Sequence, residues 1–470
     1  MSTPSAVDAI VKKVAFPYPP LAYQRDTIDA HVQDCEDHAG LYWGMGSGKT
    51  YSSTLFNMIY RDRVGAQVIQ IVPPILLRQW SKWLAACGIT HKVYAGTKKQ
   101  RAKITLDRDT AYFLLTVETL KNDFDRIYEA FNGRKIMVCI DEATSIKNYE
   151  SGNFRAVLQL SSGQGIMPMT GTPVSSPADA YAYIKLVNPG TYRSFGQFEN
   201  IHVKERDFFK NVTEWGNLEL LRSNLAKRSS FISTQEVHPD MPRSRISEID
   251  YDLEKHHSAL YRELVDKQLL VFSDGMAIDA STPQSLYQKT QQIILNYGYF
   301  AQHNDLVPAG FEVMDEVIAQ LAGKKTLIFA NYRMSIAAIH AHLQKKGIVS
   351  VVLNGDTPDR VRDANVERFK EDPTCQAFVM NPRAGGVGLD GLQHVCHHAL
   401  FMEIPTVPAY FWQACARLER VGQKFVTDVR IATALGTVQV RLRKNLVQKD
   451  ALVNEVVPSA NDLRAALYGE

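Results

Sequence analysis

At 470 residues the chain is too long for one hydrophobic core, so two domains are expected. Apolar content of 45% and charged content of 22% are those of a soluble globular protein, and a net charge of +3 permits a polyanionic partner without demanding one, so such binding must come from local patches. No stretch approaches the roughly 18 uninterrupted apolar residues that cross a bilayer, the start "MSTPSAVDAIVKK" lacks a signal-peptide core, and six scattered cysteines with no CxxC pair argue against a disulfide framework or a zinc knuckle. The expected location is the cytoplasm of a bacterial or phage-infected cell, or the nucleus if the chain is eukaryotic.

The first polar helix begins after two prolines in "PPLAYQRD", residues 19–26. Short β-branched runs then alternate with amphipathic stretches: "GLYW", "QVIQIV", "AYFLLT" and "KIMVCI" read as buried strands, with helices between them. That alternation predicts a parallel sheet covered on both faces. Between about 195 and 310 the strands vanish and the chain reads mostly helical, as in "EKHHSALYRELVDKQLLVF" and "SLYQKTQQIILNYGYF"; "HPDMPRSRISEID", 238–250, has the polar, proline-bearing look of a linker. At 324 the alternation restarts with "KKTLIFA", a helix to 346, "VSVVLNG", a helix to 370, "CQAFVMN", "HHALFME", a helix to 421 and "VTDVRIATAL".

Two motifs in the first half carry phosphate chemistry. "GMGSGKT", Gly44 to Thr50, follows an apolar strand and opens a helix, the context of a P-loop. Its glycines, Gly44, Gly46 and Gly48, with Met45 and Ser47 between them, let the backbone curl so that amides face phosphates. Lys49 neutralises the β and γ oxygens, and Thr50 offers a hydroxyl to magnesium. The GxxxxGK[ST] pattern wants a glycine where this chain has Trp43. "MVCIDEAT" ends a buried strand with Asp141 and Glu142, and adjacent acids there are costly unless they serve a cation or a water. Asp141 is the expected magnesium ligand and Glu142 the base that orients and deprotonates water. "HVCHH", 394–398, invites a metal reading, but alternating side chains on a short strand point to opposite faces and cannot all converge.

Near the end, "QACARLERVGQ", 413–423, reads as one and a half helical turns stopping at Gly422, with Arg417 and Arg420 on one face. A solvated helix face beside Glu419 and Lys424 is the plain alternative.

Taken in order, "GMGSGKT", "IVPPILLRQWSKW", "LLTVETL", "DEATSIKN", "MTGTP", "NPRAGGVGLD" and "QACARLERVGQ" resemble the motifs of helicase superfamily two, and within it the Swi/Snf-type DNA translocases. The resemblance runs from about residue 18 to 445. It implies two RecA-like parallel-sheet domains in tandem with a helical insertion: residues 1–240 as the ATP-binding domain, and 241–470 as the insertion (about 241–312) followed by the helicase domain. It further implies ATP and Mg2+ in a cleft between the domains, with Arg417 and Arg420 as arginine fingers and Gln413 helping to hold the γ-phosphate and water. Gln24 would read the adenine, Gly388 would approach the nucleotide and Asp390 would accept from the ribose.

The same resemblance places duplex DNA across both domains, with contacts at Pro73 to Arg78, Lys98, Thr116, Arg333, Gly355 to Thr357 and Arg383. Arg362 reads instead as a structural arginine pairing within its domain. Three positions depart from the family: Pro382 stands where a hydroxyl usually precedes "RAGG", Ser176 replaces an amide after "TGTP", and Pro168 lies in an expected central strand. The function implied is ATP-driven translocation on double-stranded DNA, with fork remodelling or branch migration leading and removal of DNA-bound proteins second. A single-strand or RNA helicase and a non-hydrolysing ATP-dependent clamp are the rivals.

Overall fold

The computed structural model describes residues 5–446 except 35, 36, 45, 209, 243, 272–276, 302–305, 384–388, 390, 421 and 445. The chain divides into two compact units, with the boundary between Pro239 and Asp240.

The first unit contains β1 (Gly40–Trp43), β2 (Gln67–Ile71), β3 (His91–Val93), β4 (Tyr112–Leu115), β5 (Ile136–Ile140), β6 (Gly165–Pro168), β7 (Val203–Arg206), β8 (Val212–Trp215) and β9 (Ser229–Ile232). Five strands form a parallel sheet in the order β3-β4-β2-β5-β6, and β1 pairs in parallel with β9. Bridges His38 to Ile166 and Leu41 to Met169 bring β1 beside β6, so the layer continues to β9. Pro168 explains the thinness of that seam. Ile166 N–H donates to Asp37 O at 2.8 Å and Thr170 N–H to Leu41 O at 3.2 Å, while the proline midway has no N–H to give. The expected awkwardness of Pro168 is thus absorbed at the end of β6 as one missing bond.

Alternation within the strands builds a core on each face. Ile69, Ile71, Val138 and Ile140 join one buried cluster, whereas Val68, Met137 and Cys139 join another that includes Leu55 and Trp80. Because both faces are covered, β1, β2, β4 and β5 are buried at every position, which is why their sequences are apolar apart from the buried Gln67 and Gln70 of β2.

The second unit contains β10 (Arg245–Tyr251), β11 (Leu269–Val271), β12 (Ala277–Asp279), β13 (Thr326–Phe329), β14 (Val349–Leu353), β15 (Cys375–Met380), β16 (His398–Phe401) and β17 (Asp428–Ala434). Six of them form a parallel sheet in the order β10-β17-β16-β13-β15-β14.

Three expectations are corrected here. The region 195–310 does hold helices, including Lys255–Lys267 and Pro283–Leu295, but also two antiparallel hairpins, β7 with β8 and β11 with β12, together with β9 and β10. The second part of the supposed linker 238–250, from Arg245 on, is β10, the edge strand of the second sheet, paired with β17 from Arg245↔Asp428 to Tyr251↔Ala434. The late helix spans only Pro408–Cys415 rather than continuing to 421, because the bonds Arg417 N–H to Ala414 O and Leu418 N–H to Cys415 O tighten the chain into turns. Among the described residues, no helix is long and apolar enough to cross a membrane.

Candidate nucleotide and nucleic-acid site

In a parallel sheet every strand ends on the same edge, and ligands gather there. The P-loop follows β1, Asp141 and Glu142 follow β5, and Thr170 to Thr172 follow β6, so sequence-distant groups share the carboxyl edge of the first sheet.

The loop's shape depends on its glycines. Gly48 caps the helix Lys49–Val64 in a left-handed conformation, φ 75°, and Gly46 is left-handed too, at 74°. A Cβ on Gly44 would lie 2.7 Å from the backbone nitrogen of Thr234, so only glycine fits that approach. Ser47 Oγ donates to Gly44 O at 2.7 Å, and the Lys49 ammonium donates to Trp43 O at 2.8 Å and Gly44 O at 3.0 Å. Thr50 stands in the first turn of the helix, whose unpaired amides favour an anion. Trp43, the departure from the glycine pattern, ends β1 fully buried and donates its indole N–H to Ser230 Oγ on β9 at 2.7 Å. It braces the loop's entrance. Met45 lies outside the described residues.

Gln24 is buried against the loop. Its Oε1 accepts from Leu21 N–H at 2.9 Å, and Nε2 lies 3.5 Å from Ser47 O. Tyr23, which the sequence did not single out, donates its phenol to Ser47 O at 2.7 Å.

Asp141 is buried, and each of its carboxylate oxygens has a donor. Trp80 Nε1 donates to Oδ2 at 2.8 Å, and the Glu142 amide donates to Oδ1 at 3.0 Å. Burial pushes the Asp141 carboxyl above the ordinary range, and the Trp80 indole, the Lys49 charge and the Glu142 amide oppose that rise. Glu142 itself adopts φ 50°, ψ 58°, a costly conformation for a residue with a Cβ. It turns the backbone sharply away from the sheet directly after Asp141.

Asp141 and Thr50 line one cavity of about 270 Å³ with Gly48, Gln79, Trp80 and Trp83. Among the described residues no group of three His, Cys, Asp or Glu is placed to hold a metal ion. One buried carboxylate with spare lone pairs beside a hydroxyl suits magnesium, which takes most of its shell from phosphates and water.

The candidate nucleic-acid residues also stand past strand ends. In the first unit Pro73 and Arg78 follow β2, Lys98 opens the helix Lys98–Ala102 after β3, and Thr116 caps the helix Val117–Asn122 after β4. Arg78 and Lys98 are exposed, whereas Thr116 is buried with its hydroxyl already accepting from Thr119 N–H at 3.1 Å. In the second unit Arg333 follows β13, Gly355 and Thr357 follow β14, and Arg383 follows β15. Arg333 is paired with Asp356, Thr357 Oγ1 accepts from Asn354 N–H at 3.0 Å, and the Arg383 guanidinium lies 5.8 Å above the Tyr410 ring. Arg362 lies 3.6 Å from Asp363.

Gln413 sits on the helix Pro408–Cys415, and Arg417 and Arg420 sit in the turns beyond it. Arg417 is buried, and Arg420 Nε donates to Ala416 O at 3.2 Å. Gly388 and Asp390 lie outside the described residues. Trp80 and Tyr23 are the residues that sequence reasoning missed; the available signal was that a buried indole or phenol must find a polar partner.

These features define a P-loop nucleotide-binding α/β unit followed by a second parallel α/β unit. The SNF2-related domain model matches residues 32–301, more than half of the chain, and the helicase conserved C-terminal domain matches 309–422. The chain belongs to the SNF2-related family. Its relatives include YwqA of Bacillus subtilis, named provisionally as an ATP-dependent helicase/translocase, 26% identical over 69% of this chain and 36% of that protein. Another is the DNA repair and recombination protein RAD54B of Mus musculus, 22% identical over 88% of this chain and 53% of that protein. The chain therefore spans about a third to a half of these relatives. The solved SWI2/SNF2 ATPase core of Sulfolobus solfataricus in complex with dsDNA aligns over 96% of each chain at 19% identity, with a TM-score of 0.43.

Proposed function

We propose that the chain is an ATP-driven translocase on double-stranded DNA, largely indifferent to base sequence, that remodels forks or branched DNA in replication or recombination. The observation that carries this reading is the convergence of Lys49, Thr50, Asp141 and Glu142 on one sheet edge, with Asp141 and Thr50 opening into one cavity. The loop amides and Lys49 would bind the triphosphate of ATP, and Thr50 and Asp141 would hold magnesium, which supplies charge neutralisation at the phosphate oxygens. Glu142 would orient water and take its proton.

In this reading Arg417, Arg420 and Gln413 complete the nucleotide site from the second unit. Arginines that contribute charge only on closure would link hydrolysis to motion between the units. Arg78, Lys98, Arg333 and Arg383, with the amides and hydroxyls of Pro73 to Arg78, Thr116 and Gly355 to Thr357, would grip phosphates without reading bases. The family membership supports the ATP-driven step, and the recombination role in the name of the mouse relative supports the branched-DNA substrate.

The deciding experiment compares ATP turnover and products on duplex, forked and four-way DNA, single strands and RNA. The proposal expects duplex or branched DNA to stimulate turnover most, with branch products resolved. Preferential stimulation by single strands or RNA would make the chain a helicase of another kind. ATP binding without turnover on any nucleic acid would make it a clamp, and displacement of bound protein without branch products would assign the second role.

A further inference from the structure

We propose that Trp80 is a positioning residue for the magnesium-binding carboxylate: its indole N–H, 2.8 Å from Asp141 Oδ2, holds Asp141 in the orientation that serves the nucleotide. The assignment rests on the ATP reading above.

Packing alone does not account for Trp80. The helix Leu77–Ala86 buries two residues one turn apart, Trp80 and Leu84, against the same face of the first sheet. Leu84 shows that an aliphatic side chain fills such a position. Trp80 adds a single polar atom, and that atom is aimed at the one buried carboxylate lining the cavity beside Thr50. Trp83, next on the helix, donates instead to Thr54 Oγ1 on the P-loop helix at 3.0 Å. Two indoles from one helix thus reach different partners, Trp80 the carboxylate at the end of β5 and Trp83 a hydroxyl inside the helix that follows the P-loop.

The donors on Asp141 divide the work. The Glu142 amide holds Oδ1 from within the same turn, but that contact moves with the local backbone and gives Oδ2 no partner. Only a donor anchored elsewhere pins the second oxygen, and Trp80 precedes Asp141 by 61 residues on a separate element. Each oxygen has one donor, and Asp141 lines the cavity that also holds Thr50. An outer partner that orients a metal ligand is worth about 10- to 100-fold in metal affinity.

The test measures binding of AMP-PNP, a non-hydrolysable analogue, with Mg2+ and again in EDTA. Trp80→Phe keeps an aromatic ring and loses the N–H. It should reduce the Mg2+-dependent gain in affinity about 10- to 100-fold and leave affinity in EDTA unchanged. Trp83→Phe, which removes an indole from the same helix, should keep the full gain. An unchanged gain in Trp80→Phe overturns the assignment, and so does an equal loss in Trp83→Phe. If wild-type chain binds no AMP-PNP under either condition, the ATP reading itself falls and this one with it.

Should Trp80→Phe fail to fold by circular dichroism, Asp141→Asn supplies the second route, since it is isosteric. In indole 15N–1H spectra of the chain, which has five tryptophans, Asp141→Asn should shift one strongly displaced cross-peak, and that peak should persist in Trp83→Phe. No indole peak responding to Asp141→Asn overturns the proposal.

Discussion

Gln24 closes over Gly48: a Cβ built on this glycine would stand 2.2 Å from Gln24 Nε2. Two constraints act on that position at once. The left-handed backbone, φ 75°, costs an L-residue about 1–2 kcal/mol, and the amide must also move aside. Gly48→Ala is expected to weaken AMP-PNP binding more than tenfold. Because Gln24 would also read the adenine, the double variant is compared with Gln24→Ala alone: with the clash relieved but the backbone conformation still unfavourable, Gly48→Ala should weaken binding there too, by less than in the wild-type background. No weakening by Gly48→Ala in the Gln24→Ala background would show that the glycine is needed for space alone.

The strained turn at Glu142 comes directly after Asp141, which lines the cavity, and in the proposed reading turnover should depend on the Glu142 carboxylate's basicity rather than its size. Glu142→Gln keeps the shape and removes the proton acceptor. ATP binding is expected to remain within a few-fold of wild type while DNA-stimulated hydrolysis is nearly abolished, read by equilibrium binding and phosphate release. Undiminished hydrolysis would remove Glu142 from the chemistry.

Arg420 follows the shortened helix in a turn, held by Ala416 O and near Leu389 O at 3.5 Å. Arginine fingers contribute about 10³-fold or more to phosphoryl transfer. Arg420→Ala should therefore lower kcat by that order with nucleotide affinity little changed, because its charge acts at the transition state. DNA-stimulated turnover at the wild-type rate would exclude it from the site.

Much of this architecture is legible in the sequence for a simple reason. "GLYW" and "IMVCI" are buried on both faces, so they are continuous apolar runs whatever the strand register. The P-loop and the Asp141–Glu142 pair announce themselves because phosphate chemistry restricts which residues can stand there. Strands β7 and β8 escaped notice because Val203–Arg206 and Val212–Trp215 are largely exposed and carry charges where a core strand carries valine or leucine. Strand β10, "RISEIDY", is a half-exposed edge whose partner lies 183 residues away, and no local pattern reports such a pairing. The late helix overran in the reading because "ARLER" has good helical propensity. No glycine or proline in that stretch announces the switch to three-residue hydrogen bonds at Arg417 and Leu418.

Glu403, just past β16, is a buried acid expected to give the second unit a pH response. It is 1% exposed and accepts from Asn331 N–H at 2.6 Å, Tyr332 N–H at 3.2 Å and Ser335 Oγ at 2.5 Å, at the start of the helix Arg333–Lys345. Burial raises its carboxyl to about 7 despite these three donors. Between the unfolded value near 4.5 and that folded value, the native state holds the extra proton, so stability is full below about 4.5 and falls as pH rises toward 7. The loss is roughly 3 kcal/mol at 1.36 kcal/mol per unit. Glu403→Gln cannot ionise, and its amide can still accept from the backbone and donate to Ser335. In denaturant titrations the wild-type chain should lose stability relative to Glu403→Gln between pH 5 and 7.5, with the gap growing by 1 to 3 kcal/mol. A gap that stays constant over this range would mean that Glu403 is already ionised when the helix that presents Arg333 is formed.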